Sequence, residues 1–148
     1  MIIDHSEQVI KEIMKVFIGK DEIIEKVLMA IYAGGHILLE DAPGVGKTTL
    51  ALGFSHALDL SYKRVQFTPD TMPSDITGFS VFNKEQGTLD YKPGAADCNL
   101  LLGDEINRTS PKTQAALLEA MEEGSVTVDG VTHMLPKPFI CIATQNHY

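Results

Sequence analysis

The chain has 148 residues, of which 44% are apolar, and its formal net charge is −8 at pH 7. This length predicts one domain, residues 1–148, that can bury a core. An acidic balance without a basic cluster argues against non-specific binding of nucleic acid. No apolar run is long enough to cross a membrane, and the first residues lack the basic region of a signal peptide. We therefore expect a cytoplasmic protein with no membrane span.

Two helices are predicted before the first strand. Residues 6–17 carry apolar side chains on one helical face, with Ser6 as the N-cap. A second helix begins at Asp21 and ends at Gly34 and Gly35, because glycine commonly terminates helices.

The first strand, residues 37–40, leads into a glycine-containing turn and then a predicted helix. This order is typical of a phosphate-binding loop. Gly44 and Gly46 allow successive backbone N–H groups to point at phosphate oxygens. Lys47 would reach the β- and γ-phosphates, and the Thr48 hydroxyl would bind Mg²⁺.

Short strands and turns follow in the middle of the chain. A strand is predicted at residues 64–67, and the two prolines of residues 68–75 indicate turns. Loosely alternating residues predict a protruding hairpin near residues 76–93. A second hairpin is predicted at residues 126–135, where alternation surrounds an Asp-Gly pair.

Between the two hairpins lies a predicted helix. Thr109 or Ser110 caps it, Pro111 occupies its first turn and Gly124 ends it. Its apolar residues are Ala115, Leu117, Leu118 and Met121.

Two further strands are apolar and end in polar residues. Residues 99–103 end in Asp104 and Glu105, and residues 139–144 are followed by Gln145 and Asn146. Strands that alternate with helices predict an α/β architecture with a mainly parallel sheet. The polar residues should gather beyond the carboxyl ends of its strands.

These strand ends supply the second half of a site that hydrolyses a nucleoside triphosphate. Asp104 would hold Mg²⁺, usually through water, since Mg²⁺ retains several of its waters. Glu105 would orient and polarise the attacking water. Asn146 would hydrogen-bond the γ-phosphate or that water. The alternative interpretation is that Asn146 is a polar loop residue without a catalytic task.

The cysteines and histidines predict no disulfide and no transition-metal site. Cys98 and Cys141 lie beside or within apolar strand-like runs, which favours buried free thiols. The five histidines show no metal-ligand spacing.

In combination, these residues resemble an AAA+ ATPase, and closely the MoxR family. The resemblance covers about residues 16–146. It rests on the strings His36-Ile37-Leu38-Leu39-Glu40, Pro43-Gly44-Val45-Gly46-Lys47-Thr48, Gln66-Phe67-Thr68-Pro69-Asp70, Pro73-Ser74-Asp75-Ile76-Thr77-Gly78, Asp104-Glu105-Ile106-Asn107-Arg108, residues 114–123 and Ala143-Thr144-Gln145-Asn146.

The resemblance implies a P-loop NTPase of AAA+ type, built as a three-layer α/β sandwich. It also implies ATP and Mg²⁺ as ligands and ATP hydrolysis that drives chaperone-like remodelling of partner proteins. Members of the family form rings, usually hexamers, and often work with von Willebrand factor A-type partner proteins.

Site residues are implied by position. Lys47 and Thr48 match Walker A, Asp104 and Glu105 match Walker B, and Asn146 matches sensor 1. The other nucleotide-binding positions implied are Pro43, Gly44, Val45, Gly46 and Thr49 in the loop, and Ile18 and Gly19 beside the adenine. The two hairpins resemble the helix-2 and pre-sensor-1 insertions that face the ring pore. The alternative interpretation is that both are surface hairpins without a special task.

The sequence also departs from the family pattern. Asp41 replaces a glycine of the loop template, Gly94-Ala95 stands where the family has Gly-Pro, and His147 follows Asn146 where proline is usual. The family continues after sensor 1 with a strand, an arginine finger, a helical lid and sensor 2. We therefore expect an incomplete fold that lacks the last core strand and the lid, with the strand at residues 37–40 at an open edge.

Because an arginine finger contributes about 10³–10⁵ in rate, we predict weak ATP binding with little or no hydrolysis by this chain alone. Arg108 is not assumed to replace the finger. Two alternatives stay open. One is a truncated nucleotide-binding module without useful turnover, and the other is a related AAA+ clade of the magnesium-chelatase or transcription-activator type.

Overall fold

The computed structural model describes residues 35–40 and 47–145. The helices predicted at residues 6–17 and 21–34 lie outside these residues. The described elements, in chain order, are β1 (Ile37–Glu40), α1 (Lys47–Ala57), β2 (Tyr62–Gln66), α2 (Pro73–Thr77), β3 (Phe79–Asn83), β4 (Thr88–Lys92), β5 (Leu100–Asp104), a 3₁₀ turn (Ile106–Arg108), α3 (Pro111–Glu123), β6 (Ser125–Val128), β7 (Val131–Met134) and β8 (Ile140–Gln145).

Four of the strands form a parallel sheet in the order β1-β8-β5-β2. The central strands β5 and β8 are buried on both faces, which explains why their sequences read as continuous apolar runs. The predicted parallel α/β architecture is confirmed. Strand β2 begins two residues before its predicted start, at Tyr62.

Helices cover both faces of the sheet. On one face, Leu50 and Phe54 of α1 pack against a cluster that includes Leu102 and Ile142. On the other face, Leu117 and Ala120 of α3 pack in a second cluster with Leu101, Cys141 and Ala143. Each large side chain buried in this way contributes about 1.5–3 kcal/mol. The result is the expected three-layer sandwich.

The ends of α3 follow the predicted capping residues. Ser110 is the N-cap and accepts a hydrogen bond from the Thr113 N–H at 3.4 Å, and Gly124 ends the helix in the left-handed conformation. The apolar face differs from the sequence pattern. Leu117 is buried, but Leu118 is exposed.

His36 joins three elements at the start of β1. Its Nδ1 atom accepts the N–H of Cys141 at 3.0 Å, and its Nε2 atom lies 2.7 Å from the carbonyl oxygen of Met121. Because Nδ1 accepts, Nε2 carries the proton and donates it. The ring therefore ties the beginning of β1 to β8 and to the end of α3.

Both predicted hairpins are confirmed. Strands β3 and β4 pair antiparallel, as do β6 and β7. Asp129 and Gly130 have φ values of 50° and 77°, the pair of positive angles that a two-residue type I′ turn requires. The rings of Tyr91 on β4 and His133 on β7 stack with centroids 3.6 Å apart, so the two hairpins contact each other.

One segment differs from its predicted turn structure. Residues 73–77 form the short helix α2, which begins inside the segment 68–75 predicted as turns and ends in the first residues assigned to the hairpin near 76–93. Pro73 opens the helix, where a missing N–H is harmless, and the Asp75 carboxylate accepts the Met72 N–H at 2.8 Å. The local cap therefore stabilises a single helical turn.

Candidate functional site at the carboxyl ends of the strands

Asp104 lies at the carboxyl end of β5, and its carboxylate is bound from both neighbouring strands. From β2, Arg64 places Nε 2.8 Å and Nη2 2.6 Å from Oδ2. From β8, the Thr144 hydroxyl donates to Oδ1 at 3.2 Å. The Asp104 side chain is only 10% exposed, so these contacts replace much of its hydration.

Thr144 also sets the backbone of the next residue. Its fully buried hydroxyl accepts the N–H of Glu105 at 2.9 Å. Glu105 has φ 56° and ψ 54°, a left-handed conformation that costs about 1–3 kcal/mol for a non-glycine residue. The hydrogen bond to Thr144 helps to hold this conformation and turns Glu105 away from the strand direction.

The Glu105 carboxylate lies near Arg108, with 3.3 Å between Oε2 and Nη1. Arg108 belongs to the 3₁₀ turn that follows, and its N–H also donates to the Glu105 carbonyl oxygen. Both side chains are partly exposed, so the pair contributes less than about 1 kcal/mol to stability. The pair restricts where the Glu105 carboxylate points.

The strand that leads to the phosphate-loop sequence reaches the same edge of the sheet. In the parallel register, Glu40 lies opposite Gln145 on β8. Helix α1 begins at Lys47, places Thr48 and Thr49 in its first turn and has no acidic residue there. The unpaired N–H groups and positive dipole of such a helix start favour an anion.

Several predicted site residues lie outside the described part of the chain. They are Ile18, Gly19, Asp41, Pro43, Gly44, Val45, Gly46 and Asn146. Lys47 is described by its backbone at the start of α1. The structure gives the surroundings of Asp104 and Glu105 and places Thr48 and Thr49 at the start of α1, and all of the site assignments stay predictions.

Two residues of this site, Arg64 and Thr144, were missed in the sequence. No signal in the sequence distinguished Arg64, because its contact depends on the register of β2 and β5, in which Gln66 lies opposite Asp104. Alternation along a strand puts Arg64 and Gln66 on the same face, and Arg64 reaches the Asp104 carboxylate from there. For Thr144, the signal was a hydroxyl at the end of an otherwise apolar strand.

An apolar cavity of about 210 Å³ lies elsewhere, between α3 and the sheet. It is lined by His36, Ile37, Phe67, Ile106, Gln114, Leu117, Leu118, Met121 and Ala143. Neither Asp104 nor Glu105 lines it, and its walls offer few charged groups for a phosphate. The cavity is therefore separate from the candidate site.

The thiols behave as predicted. Cys98 and Cys141 are buried and free. Burial raises the pKa of the Cys98 thiol to about 11 and that of the Cys141 thiol to about 12. Both are therefore protonated near neutral pH and unsuited to nucleophilic or redox chemistry.

The donor atoms fit Mg²⁺ better than a transition metal. Within residues 35–40 and 47–145, no three His, Cys, Asp or Glu side chains converge to hold a metal. Mg²⁺ does not need such a cluster, since it binds through one or two carboxylates, waters and substrate phosphates. Asp104 supplies one such carboxylate at the end of β5.

A parallel α/β/α core, an acidic pair at the end of β5 and the sequence Gly44-Val45-Gly46-Lys47-Thr48 between β1 and the start of α1 are together typical of P-loop ATPases. A model of the ATPase family associated with various cellular activities (AAA) matches residues 36–148. The chain belongs to this AAA family, within its MoxR group. None of the helices in the described ranges is long and apolar enough to cross a membrane.

Three similar proteins support this assignment. YeaC of Bacillus subtilis is 53% identical over 137 residues, which are 93% of this chain and 43% of YeaC. The chaperone MoxR1 of Mycobacterium tuberculosis is 40% identical over 140 residues, 95% of this chain and 37% of MoxR1. A crystal structure of a candidate ATPase from Cytophaga hutchinsonii has a TM-score of 0.85 and 42% identity, and it covers 97% of this chain and 43% of that protein. The chain spans less than half the length of each of these relatives.

Proposed function

We propose that this chain is the nucleotide-binding core of a MoxR-type ATPase that binds ATP with Mg²⁺ and hydrolyses it to remodel partner proteins. The observation that carries the proposal is the acidic pair Asp104-Glu105. Arg64 and Thr144 hold this pair at the carboxyl ends of the strands, where β1 also ends.

In this proposal, each residue has a separate task. Lys47 and the backbone of the phosphate loop bind the β- and γ-phosphates. Thr48 would hold Mg²⁺ directly and Asp104 through water, and the ion would supply positive charge against the charge that develops on the phosphates. Glu105 orients the attacking water and accepts its proton, and Asn146 hydrogen-bonds the γ-phosphate or the water.

Glu105 is well placed for the role of base. Its backbone leaves the extended conformation of β5, and the contact with Arg108 limits the positions of its carboxylate. Asp104 is more buried and is held in place at both oxygens, which suits the task of holding Mg²⁺. The different surroundings of the two carboxylates support different tasks.

The hairpins support the remodelling part of the proposal. Large apolar side chains are exposed on both: Phe79, Val81, Phe82, Leu89, Val131 and Met134. Exposed apolar surface of this kind commonly marks contacts with another protein. We propose that these hairpins contact the remodelled protein, that the intact protein forms a ring, and that von Willebrand factor A-type proteins are its partners.

Calorimetry of Mg·ATP binding tests the nucleotide site. We expect Lys47→Ala to abolish binding and Glu105→Gln to preserve it. ATP turnover, where it is measurable, should be lost in Glu105→Gln. Unchanged affinity in a folded Lys47→Ala protein would show that the site assignment is wrong.

A further inference from the structure

Within the part of the chain that the structure describes, Arg64 is the cation that contacts the proposed metal-holding carboxylate of Asp104. We propose that Arg64 is a built-in counter-ion of Asp104 that competes with Mg²⁺, so that Arg64 sets the Mg²⁺ concentration the site requires. The inference rests on the Mg²⁺ role of Asp104 in the proposed function and concerns a positioning residue.

The geometry of the pair shows what Mg²⁺ would compete with. Two nitrogen atoms of Arg64 converge on one oxygen, Oδ2, at 2.8 and 2.6 Å. The other oxygen, Oδ1, accepts the Thr144 hydroxyl. The guanidinium therefore occupies the side of the carboxylate that Thr144 leaves open.

The exposures of the two side chains differ. Asp104 is 10% exposed, whereas Arg64 is 48% exposed. A buried carboxylate without a counter-charge is unfavourable, so Asp104 needs a cation when no metal is bound. Arg64 can turn into water more readily than Asp104 can, because half of its side chain is already solvated, although it would also give up a 3.4 Å contact with Gln66 Oε1. Of the two side chains, Arg64 is therefore the one that can move away when Mg²⁺ binds Asp104.

The Arg64 guanidinium and Mg²⁺ compete for Asp104 because both are positively charged. A guanidinium and a divalent ion attracted to the same carboxylate repel each other, and a site of low exposure screens that repulsion poorly. Removal of the Arg64 charge should therefore strengthen Mg²⁺ binding, although it weakens the fold. A purely structural clamp between β2 and β5 would weaken the fold without strengthening Mg²⁺ binding.

Four variants separate these explanations. Arg64→Met removes the charge and the hydrogen bonds, and Arg64→Gln removes the charge but keeps a donor for Asp104. Arg64→Lys keeps the charge. Lys63→Met is the matched control, because it removes the same charge from the neighbouring residue, whose Nζ contacts the carbonyl oxygen of Gly94.

The first experiment needs no nucleotide. Thermal unfolding is measured with millimolar MgCl₂ and with NaCl of equal ionic strength. We expect Mg²⁺ to raise the unfolding temperature of Arg64→Met and Arg64→Gln more than that of the wild type. Lys63→Met and Arg64→Lys should respond as the wild type does. Equal responses of the wild type and both neutral variants at position 64 would overturn the inference.

The second experiment adds the proposed ligand. Mg²⁺ is titrated in the presence of a saturating, non-hydrolysable imido analogue of ATP. We expect the half-saturating Mg²⁺ concentration to fall roughly three- to tenfold in Arg64→Gln, the effect of about one lost charge contact. An unchanged or higher requirement would contradict competition. Absence of analogue binding in the wild type would instead reject the proposed function, while the first experiment still decides the role of Arg64.

Discussion

The substitution Thr144→Val removes one hydroxyl from the centre of the candidate site and leaves the shape of the side chain nearly unchanged. In the wild type, that hydroxyl accepts the Glu105 N–H at 2.9 Å and donates to Asp104 Oδ1 at 3.2 Å. Because Thr144 is fully buried, water is poorly placed to replace either contact. The substitution should leave the Glu105 N–H without this acceptor.

The magnitude follows from these two contacts. A buried donor left unsatisfied costs about 1–3 kcal/mol, and a lost hydrogen bond to a charged group costs about 1.5–3 kcal/mol. Asp104 keeps Arg64, so the two terms do not add fully. We expect the free energy of unfolding to fall by about 2–4 kcal/mol, a large part of the roughly 5–15 kcal/mol of a typical domain.

Urea unfolding followed by circular dichroism measures the effect. The matched control is Thr144→Ser, which keeps the hydroxyl and loses one methyl group, at about 1 kcal/mol. With a typical dependence on urea, the unfolding midpoint of Thr144→Val should fall by roughly 1–2 M. If Thr144→Val proved as stable as Thr144→Ser, the hydroxyl would not hold the Glu105 backbone.

Two further predictions concern stability. In Gly94→Ala, the added Cβ atom would meet the backbone nitrogen of Gly78 and lie 2.5 Å from the carbonyl oxygen of Ile76. We therefore expect the free energy of unfolding, measured with urea, to fall by about 1–3 kcal/mol. An unchanged urea midpoint would contradict this packing. The free energy of unfolding should also fall as pH rises above about 9. In the unfolded chain Cys98 and Cys141 then ionise, whereas in the folded protein their pKa values, raised to about 11 and about 12, keep both thiols protonated. Between about pH 8 and pH 10 each thiol should contribute a loss of about 1.4 kcal/mol, which a double cysteine-to-alanine variant should lack.

Local patterns determined much of the fold. The Asp129-Gly130 turn, the Ser110 cap and the Gly124 terminus were predictable because each depends on the conformational preference of a few neighbouring residues. The strand that ends in Asp104 was also predictable, since a strand buried on both faces must be apolar throughout. These signals located the acidic pair before any contact was known.

Helix α3 shows where a periodic pattern was insufficient. Its sequence offers Leu117 and Leu118 as equally apolar, yet only Leu117 is buried. Ala120, a small residue, is fully buried because the helix approaches the sheet at that position. Which side of an apolar helix is covered depends on the elements packed against it.

By itself, the sequence determined the α/β class, the two hairpins and the place of Asp104 and Glu105 at a strand end, since all of these follow from local residue order. Only the tertiary structure decided that Arg64 and Thr144 bind the Asp104 carboxylate. Each lies 40 residues from Asp104 along the chain, and the contacts form because the order β8-β5-β2 places the three strands side by side. Local sequence carries little information on that order, because strand neighbours depend on how the whole chain packs.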